Sequence, residues 1–408
     1  MNKKYIVILA AIFFICMAIN GAKAQVKNSV YSMFGVGRVN EESFGVNRAM
    51  GGTGIAFRSG ISMNYLNPAS YLGIPQGSIN LEFGVFGIYS GARNKNISQY
   101  ARDINVSYMS ASFYLTNMWA FCFGVAPFSS IDYEINSTDE IGGELTLFDK
   151  RFTGSGGLSR AFMGHSFQIY KGLSVGFNTS YIFGPITQTE IALSNNSFSG
   201  YELENRRFVH GLYLDYGLQY SIGFRDWRYT VGLVYGPEKK LHSIDDLEFT
   251  YNGTTTALTQ DDDLNISIPK KYGAGFSIQK NNNLRAGFDY EWKKWSYLKF
   301  LNPNLDAKNS KRFSFGLEYS PQKRGSIFNR AFYRFGANYK NSYIEIDNTQ
   351  INSVGLSLGI GIPQYYKLNN FNFSVEYGEE GTMNNGLIKN NYFMLYSSFS
   401  LHEFWARR

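Results

Sequence analysis

Apolar and polar residues take turns along most of this chain. From 77 to 401 the alternation recurs in segment after segment, which is the signature of strands with one apolar and one polar face. Leu284, Ala286, Phe288, Tyr290 and Trp292 alternate with Arg285, Gly287, Asp289 and Glu291. Phe313, Phe315, Leu317 and Tyr319 alternate with Ser314, Gly316 and Glu318, and Tyr333, Phe335, Ala337 and Tyr339 with Arg334, Gly336, Asn338 and Lys340. Leu212, Leu214, Tyr216, Leu218, Tyr220 and Ile222 alternate with Tyr213, Asp215, Gly217, Gln219 and Ser221, and Phe371, Phe373, Val375 and Tyr377 with Asn372, Ser374 and Glu376. Fourteen segments read as strands: 78–89, 105–115, 118–134, 157–169, 173–184, 207–222, 227–236, 268–279, 284–293, 311–320, 331–340, 351–362, 370–377 and 391–401. Most have the roughly 9–11 residues that a tilted strand needs to cross a bilayer.

The connections alternate in length. Those at 116–117, 170–172, 224–226 and 280–283 are short, and those at 90–104, 135–156, 185–206, 237–267 and 294–310 are long. Short periplasmic turns and long external loops characterise outer-membrane barrels, so the pattern predicts an even strand number and two periplasmic termini. The connections at 321–330 and 363–369 are longer than ideal turns, which leaves the count at about 14, give or take two. The fold class expected is all-β, a transmembrane antiparallel β-barrel with an N-terminal plug. The alternative, a soluble β-sandwich or propeller, rarely carries so many aromatics on one face.

Charge placement agrees. A Lys or Arg on the lipid face near mid-bilayer costs roughly 2–4 kcal/mol, and an acid somewhat less. Arg285, Asp289, Glu291, Glu318, Arg334 and Glu376 all share parity with Gly, Ser or Asn, as does Asp215. They are therefore expected to line the lumen while the aromatics face lipid. A slip of one residue would put Asp289 and Glu291 in hydrocarbon.

The ends of the chain fit an exported protein. Lys3 and Lys4 precede an apolar run from 6 to 19, and Ala22-Lys23-Ala24 offers a small-x-small cleavage site. These are the parts of a secretory signal, and the run is shorter than the roughly 20 residues of a spanning helix. The expected layout is a signal peptide at 1–24, a plug at 25–76, the barrel at 77–401 and a periplasmic tail at 402–408. Cys16 follows Ile15 within the apolar run, which does not suit lipid attachment. Cys122 is then the only cysteine of the mature chain, which excludes an internal disulfide. The formal charge of +7 falls by three with the leader, too mild to argue for nucleic acid. Aromatic residues make up 17% of the chain and there are 42 Gly, a composition that suits a barrel in a bilayer.

The stretch 48–74 lacks alternation. Gly51-Gly52-Thr53-Gly54 permits tight packing and positive φ, and Asn67-Pro68 reads as a turn. Irregular, Asn- and Ser-rich backbone at membrane depth belongs in a lumen, so this stretch is expected to be a hatch ahead of the first strand. No strand-helix-strand unit surrounds the glycines, so they are not a dinucleotide fingerprint. Met50-Gly51-Gly52-Thr53-Gly54-Ile55-Ala56 followed by Asn67-Pro68-Ala69 resembles the hatch of the FadL/TodX family of outer-membrane transporters. Ser70 stands where that family has a Gly. Gly124-Val125-Ala126-Pro127-Phe128 is similar to the Pro-Phe step on the family's kinked third strand, next to a lateral opening into the membrane. Pro127 lacks an amide donor and belongs at a bulge or an unpaired edge. The C-terminal stretch 399–408 resembles the endings of Bacteroidetes barrels.

The resemblance implies passive, plug-gated passage of hydrophobic small molecules, such as long-chain fatty acids, with Pro127 and Phe128 at the lateral exit. Because a fold does not fix a function, a second class stays open. That class is a non-transporting structural subunit of an outer-membrane protein assembly (BAM-type) or secretion complex, partnered by other outer-membrane proteins or lipoproteins. A general diffusion porin is third. Enzyme chemistry is not expected. His165, His210, His242 and His402 are scattered, and Gly164-His165-Ser166-Phe167-Gln168 lacks the closing Gly of a nucleophile elbow. Asp261-Asp262-Asp263, near Asp245-Asp246, lacks the EF-hand pattern and reads as a solvated loop. No cofactor or metal is expected.

Overall fold

The computed structural model describes residues 30–40, 42–94, 98–140, 147–193, 199–258, 266–296, 306–321, 325–346, 348–364 and 369–404. Fourteen antiparallel strands form a closed barrel. They are β1 (Ser78–Arg93), β2 (Ser98–Thr116), β3 (Trp119–Pro127 and Ser129–Glu140), β4 (Leu147–Gly156 and Ser159–Tyr170), β5 (Leu173–Ala192), β6 (Tyr201–Phe224) and β7 (Trp227–Gly236 and Lys239–Tyr251). The ring continues with β8 (Thr254–Leu258, Ile266–Ile268 and Lys270–Lys280), β9 (Leu284–Lys294), β10 (Ser310–Tyr319), β11 (Phe332–Ile346), β12 (Thr349–Pro363), β13 (Asn370–Gly381) and β14 (Lys389–Phe404). Each strand pairs with the next, and β1 pairs with β14 from Ser78↔Phe404 to Arg93↔Lys389, which closes the ring. All fourteen strands expected from the alternation are present.

The burial pattern is inverted relative to a soluble protein. On β13, Asn370, Asn372, Ser374 and Glu376 are buried while Phe371, Phe373 and Tyr377 are exposed. The polar face lines the interior and the apolar face forms an outer belt, the arrangement a bilayer imposes. No helix among the described residues is long and apolar enough to cross a membrane.

Several expected loops are strand instead. Residues 98–104, 135–140, 147–156, 185–192, 201–206 and 239–251 continue the wall beyond the apolar belt. There neither face meets lipid, so stretches such as Tyr201-Glu202-Leu203-Glu204-Asn205-Arg206 lose the apolar signal while keeping the ladder. The last strand likewise runs to Phe404, past the expected end at 401. The leader at 1–24, the start of the expected plug at 25–29 and Asp261-Asp262-Asp263 lie outside the described residues.

One row of bends crosses three strands. β3 breaks after Pro127, β4 breaks at Gly157-Leu158, and β5 carries Gly184-Pro185 at the same level. The breaks are stitched together by Phe128 N–H to the Leu158 carbonyl (2.7 Å) and Gly157 N–H to the Pro185 carbonyl (2.9 Å). Gly156 and Gly157 have φ of 106° and 143°, and a methyl group on Gly157 would collide with the Ser129 carbonyl oxygen. The row re-aims the far part of β3. It leaves β2 and pairs instead with a two-residue strand, Arg38–Val39, of the N-terminal segment.

Candidate functional site

The N-terminal segment, 30–76, lies within the ring. Its contacts reach the inward-facing residues Glu82, Asn178, Asp289 and Ser357 on well-separated strands of the barrel. Tyr31 and Val36 join Phe128, Ile131, Leu158, Ile182, Val209, Leu241 and Tyr343 in one apolar cluster. Nearer the short turns, Phe44, Met63, Tyr65 and Tyr71 pack with Tyr108, Cys122 and Phe162 in a second. Phe44 stacks on Tyr108 at 4.2 Å between ring centroids and nearly parallel.

The motif residues make the closest approach to the wall. Gly51 and Gly52 have positive φ (63° and 77°), and Met50 is fully buried. Gly51 N–H donates to Ser357 Oγ (2.9 Å), and the Arg312 guanidinium donates to the Gly51 carbonyl (2.8 Å). Gly54 and Ile55 both donate their amides to Asp289, at 2.6 and 2.9 Å. Asn67 caps the short 3-10 helix Pro68–Gly73 by accepting from the Ala69 amide (3.0 Å). Its amide nitrogen donates across to the Ile55 and Leu218 carbonyls (2.8 and 3.1 Å). Ser166 and Ser174 on the wall both donate to the Ala69 carbonyl. The wall is glycine where the segment touches it. A methyl group at Gly336 would collide with the Gly51 amide, and one at Gly232 with the Ile55 carbonyl.

The expected lumen charges divide into anchors and braces. Asp289 is an anchor. Arg285 and Arg334 brace the wall by converging on Glu318 at 2.8 and 2.7 Å, and Arg334 also donates to Asn372. Arg285 also donates to the Arg58 carbonyl and lies over the Phe57 ring. Glu376 accepts from Asn338 and Tyr392 (3.5 and 3.3 Å), and Glu291 pairs with Lys293 (3.2 Å). The residue that alternation could not reveal is Glu42, on the segment itself. It pairs with Lys271 (2.6 Å) and Arg160 (3.4 Å), all three buried. Burial alone would raise its pKa; Lys271, then Arg160, override this and hold the carboxyl well below the usual carboxylate range. Two acids with no motif signal, Glu42 and Glu82, thus tether the segment, Glu82 by accepting from Met63 N–H and Ser62.

Among the described residues, a cavity of about 50 Å³ lies between the segment and the wall, lined by charged groups such as Glu42, Glu291, Lys293 and Arg312 and by apolar ones such as Val39, Leu66, Trp295 and Ile344. Another, of about 10 Å³, lies beside Gly45, Arg48 and Tyr108. At the side of the barrel, β2 and β3 separate. Their ladder ends at Met109↔Val125, just short of Pro127. Pro127 still pairs with Ser159 of β4, while Phe128 turns inward beneath the Arg160 guanidinium. The lateral-opening candidates therefore stand at the foot of a seam in the wall, backed by the N-terminal segment.

The histidines form no site with the acids, and no group of three metal-ligating side chains occurs among the described residues. Two of them do meet, contrary to their scattered positions in sequence. His210 on β6 and His242 on β7 are register partners with ring centroids 5.7 Å apart. His165 lies among Trp119, Phe121 and Phe177 on the outer face, and Ser166 points inward.

A family model described as BamG matches residues 1–408. Among solved structures, the chain is similar to the CymD monoaromatic hydrocarbon channel (TM-score 0.60, 17% identity, covering 89% of this chain and 98% of that one). It is also similar to the Pseudomonas putida toluene transporter TodX (0.59, 14%, 90% and 100%) and to a Pseudomonas aeruginosa FadL homologue (0.53, 13%, 91% and 100%). At these identities the likeness speaks for the fold, which is that of the FadL/TodX-type channels. Comparison with curated proteins finds no match.

Proposed function

The chain belongs to the BamG family, and on the strength of its filled lumen we propose that it is a structural, non-transporting subunit of an outer-membrane protein assembly (BAM-type) or secretion complex. The barrel sits in the outer membrane with both termini toward the periplasm, the segment 30–76 acts as a fixed plug, and the role is non-catalytic. One observation carries this reading. Ligand pockets occupy roughly 300–1,000 Å³, whereas the cavity between plug and wall has about 50 Å³ and a lining in which charged groups stand beside apolar ones. A cavity of that size, among the described residues, has no room for a hydrophobic solute beside a plug held by Asp289, Glu42 and Glu82. The family name, of the Bam series, points the same way. The test is a gentle-detergent pull-down with mass spectrometry. Constant proportions of other envelope proteins are expected, and a chain that purifies alone would sink the reading.

A second reading has an observation of its own. The seam between β2 and β3 and the shared channel fold favour passage of a hydrophobic small molecule, fatty acid-like or aromatic, into the membrane. It requires the plug to move. Under this reading, deleting 48–73 or replacing Pro127 by Ala changes uptake of at least one lipid, and a nutrient supplement corrects depletion. Under the first reading neither happens.

A further inference from the structure

Three lysines stand together where the apolar belt of the outer face ends. Lys271 points inward to Glu42, so its neighbour Lys270 shares the outward parity of Tyr272. Lys294 of β9 is the direct register partner of Lys270, and Lys311 of β10 is the partner of Trp292. Lys294 and Lys311 are exposed and Lys270 is half-buried. Next to them, Tyr216, Tyr235, Tyr272 and Trp292 form one row of register partners across β6, β7, β8 and β9, with Tyr272 stacked on Trp292 at 5.6 Å between ring centroids. Aromatic rows of this kind mark the boundary of a barrel's apolar band. Past Trp292 the row turns polar. It continues through Lys311 to Asn341 and Asn352, which are hydrogen-bonded to each other at 2.7 Å.

Like charges directly opposite one another destabilise a ladder, and Lys270 and Lys294 are placed in that way, with Lys311 on the diagonal. Their strand segments, Lys270–Lys280, Leu284–Lys294 and Ser310–Tyr319, supply no acid on that face. Asp289, Glu291 and Glu318 are the acids of these segments, and all three have the inward parity. An ammonium group carries three donors, so a contact within the chain still leaves donors for a ligand. The placement calls for an anion at the rim of the belt.

Beside the lysines the belt is hollowed. A groove of about 910 Å³ on the outer face is lined by Leu218, Leu233, Tyr235, Ala274, Tyr290 and Trp292 among others. Ala274 lies between Leu233 and Tyr290 in register, and its small side chain leaves the hollow between those larger ones. A free anion would use the lysines and not the groove; an apolar solute would use the groove and not the lysines. A lipid with a phosphate headgroup uses both, since basic side chains at a membrane surface attract anionic headgroups. We propose that Lys270, Lys294 and Lys311 hold the phosphate of an outer-leaflet lipid whose acyl chains lie in the groove at Ala274. Of the proposed function this needs only that the long hairpins lie outside and both termini toward the periplasm; the subunit role does not enter.

The experiment adds lipid A, or the same lipid stripped of its phosphates, to the full chain in non-ionic detergent and reads bound lipid by native mass spectrometry. Lys270→Gln/Lys294→Gln, with heat-modifiable mobility showing an intact barrel, should weaken binding of the phosphorylated lipid by about tenfold or more and leave it no tighter than the stripped one. Lys280→Gln, a lysine over Trp227 at the short-turn end, should change nothing. Ala274→Trp, which fills the groove, should weaken both lipids. Equal binding of the two lipids by the wild type overturns the proposal. So does an unchanged affinity in the double variant, an equal loss in Lys280→Gln, or complete displacement of the lipid by millimolar inorganic phosphate. The leaflet is read separately by Thr254→Cys, at the exposed turn between β7 and β8, because Cys122 is buried. An impermeant maleimide should label it on intact cells. Labelling without phosphate selectivity leaves the topology standing and removes the lipid site; no labelling on folded protein removes both.

Discussion

At the scale of single residues, Asp289 and Glu42 show what a sequence can and cannot say about a lumen. The parity of Asp289 with Gly287 and Glu291 placed it inside the barrel. Nothing in that parity said that it would accept two consecutive backbone amides from Gly54 and Ile55. Glu42 lies in a stretch with no period at all, so its pairing with Lys271 and Arg160, over a hundred residues away in sequence, left no mark to read. Both are open to test. Asp289→Ala removes a charged acceptor from two buried donors and should loosen the N-terminal segment by about 1.5–3 kcal/mol, read as faster protease cleavage between 48 and 74 with the barrel intact. Glu42→Gln strands two buried cations at a cost of about 3–5 kcal/mol and should have the larger effect. The folded pKa of Glu42 lies below its ordinary value near 4.5. Its contribution is therefore complete above that pH and declines as pH falls toward the folded value. Protease protection of the wild-type segment should weaken from about pH 4.5 downward, whereas Glu42→Gln should be weakly protected at every pH and vary less with it. Equal protection of wild type and variant at pH 7 would remove Glu42 from the tether.

At the scale of elements, the apolar belt was legible and the wall beyond it was not. Alternation located every strand because lipid on one side and polar contacts on the other enforce it. Above the belt that contrast is gone, so 185–192 and 201–206 read as loop although they continue the β5–β6 ladder. The row of bends was half visible. Pro127 announced a break by its missing amide, but Gly157 and Gly184 fell at the margins of expected loops. They bend with Pro127 only because the ladder brings the three strands level. Gly157 meets the Ser129 backbone with no room for a side chain. Gly157→Ala should therefore impair barrel formation more than Pro127→Ala, measured as the folded fraction by heat-modifiable mobility. The reverse order would mean that the proline, not the three-strand row, makes the bend. Because the row is held on three strands, Pro127→Ala by itself should leave the β2–β3 ladder ending where it does now.

At the scale of the whole molecule, the even strand number and the closing β1–β14 ladder make a wall like that of a channel, yet the described part of the N-terminal segment packs against its inner face. In planar bilayers the intact protein should show very low conductance, far below that of a porin, and steady large currents would contradict a fixed plug. The family resemblance carried by Met50 to Ala56 and Asn67 to Ala69 agrees with the barrel fold. It could not tell a gate from a fastening, because that difference lies in partners contributed by Asp289, Ser357 and Arg312 from distant strands. The glycines of the wall carry the last consequence. Where Gly232 and Gly336 touch the segment, not even a methyl group fits. The segment and the wall are thus matched like a casting and its mould, and at those two points any side chain added to the wall must push residues 48–74 off their seat.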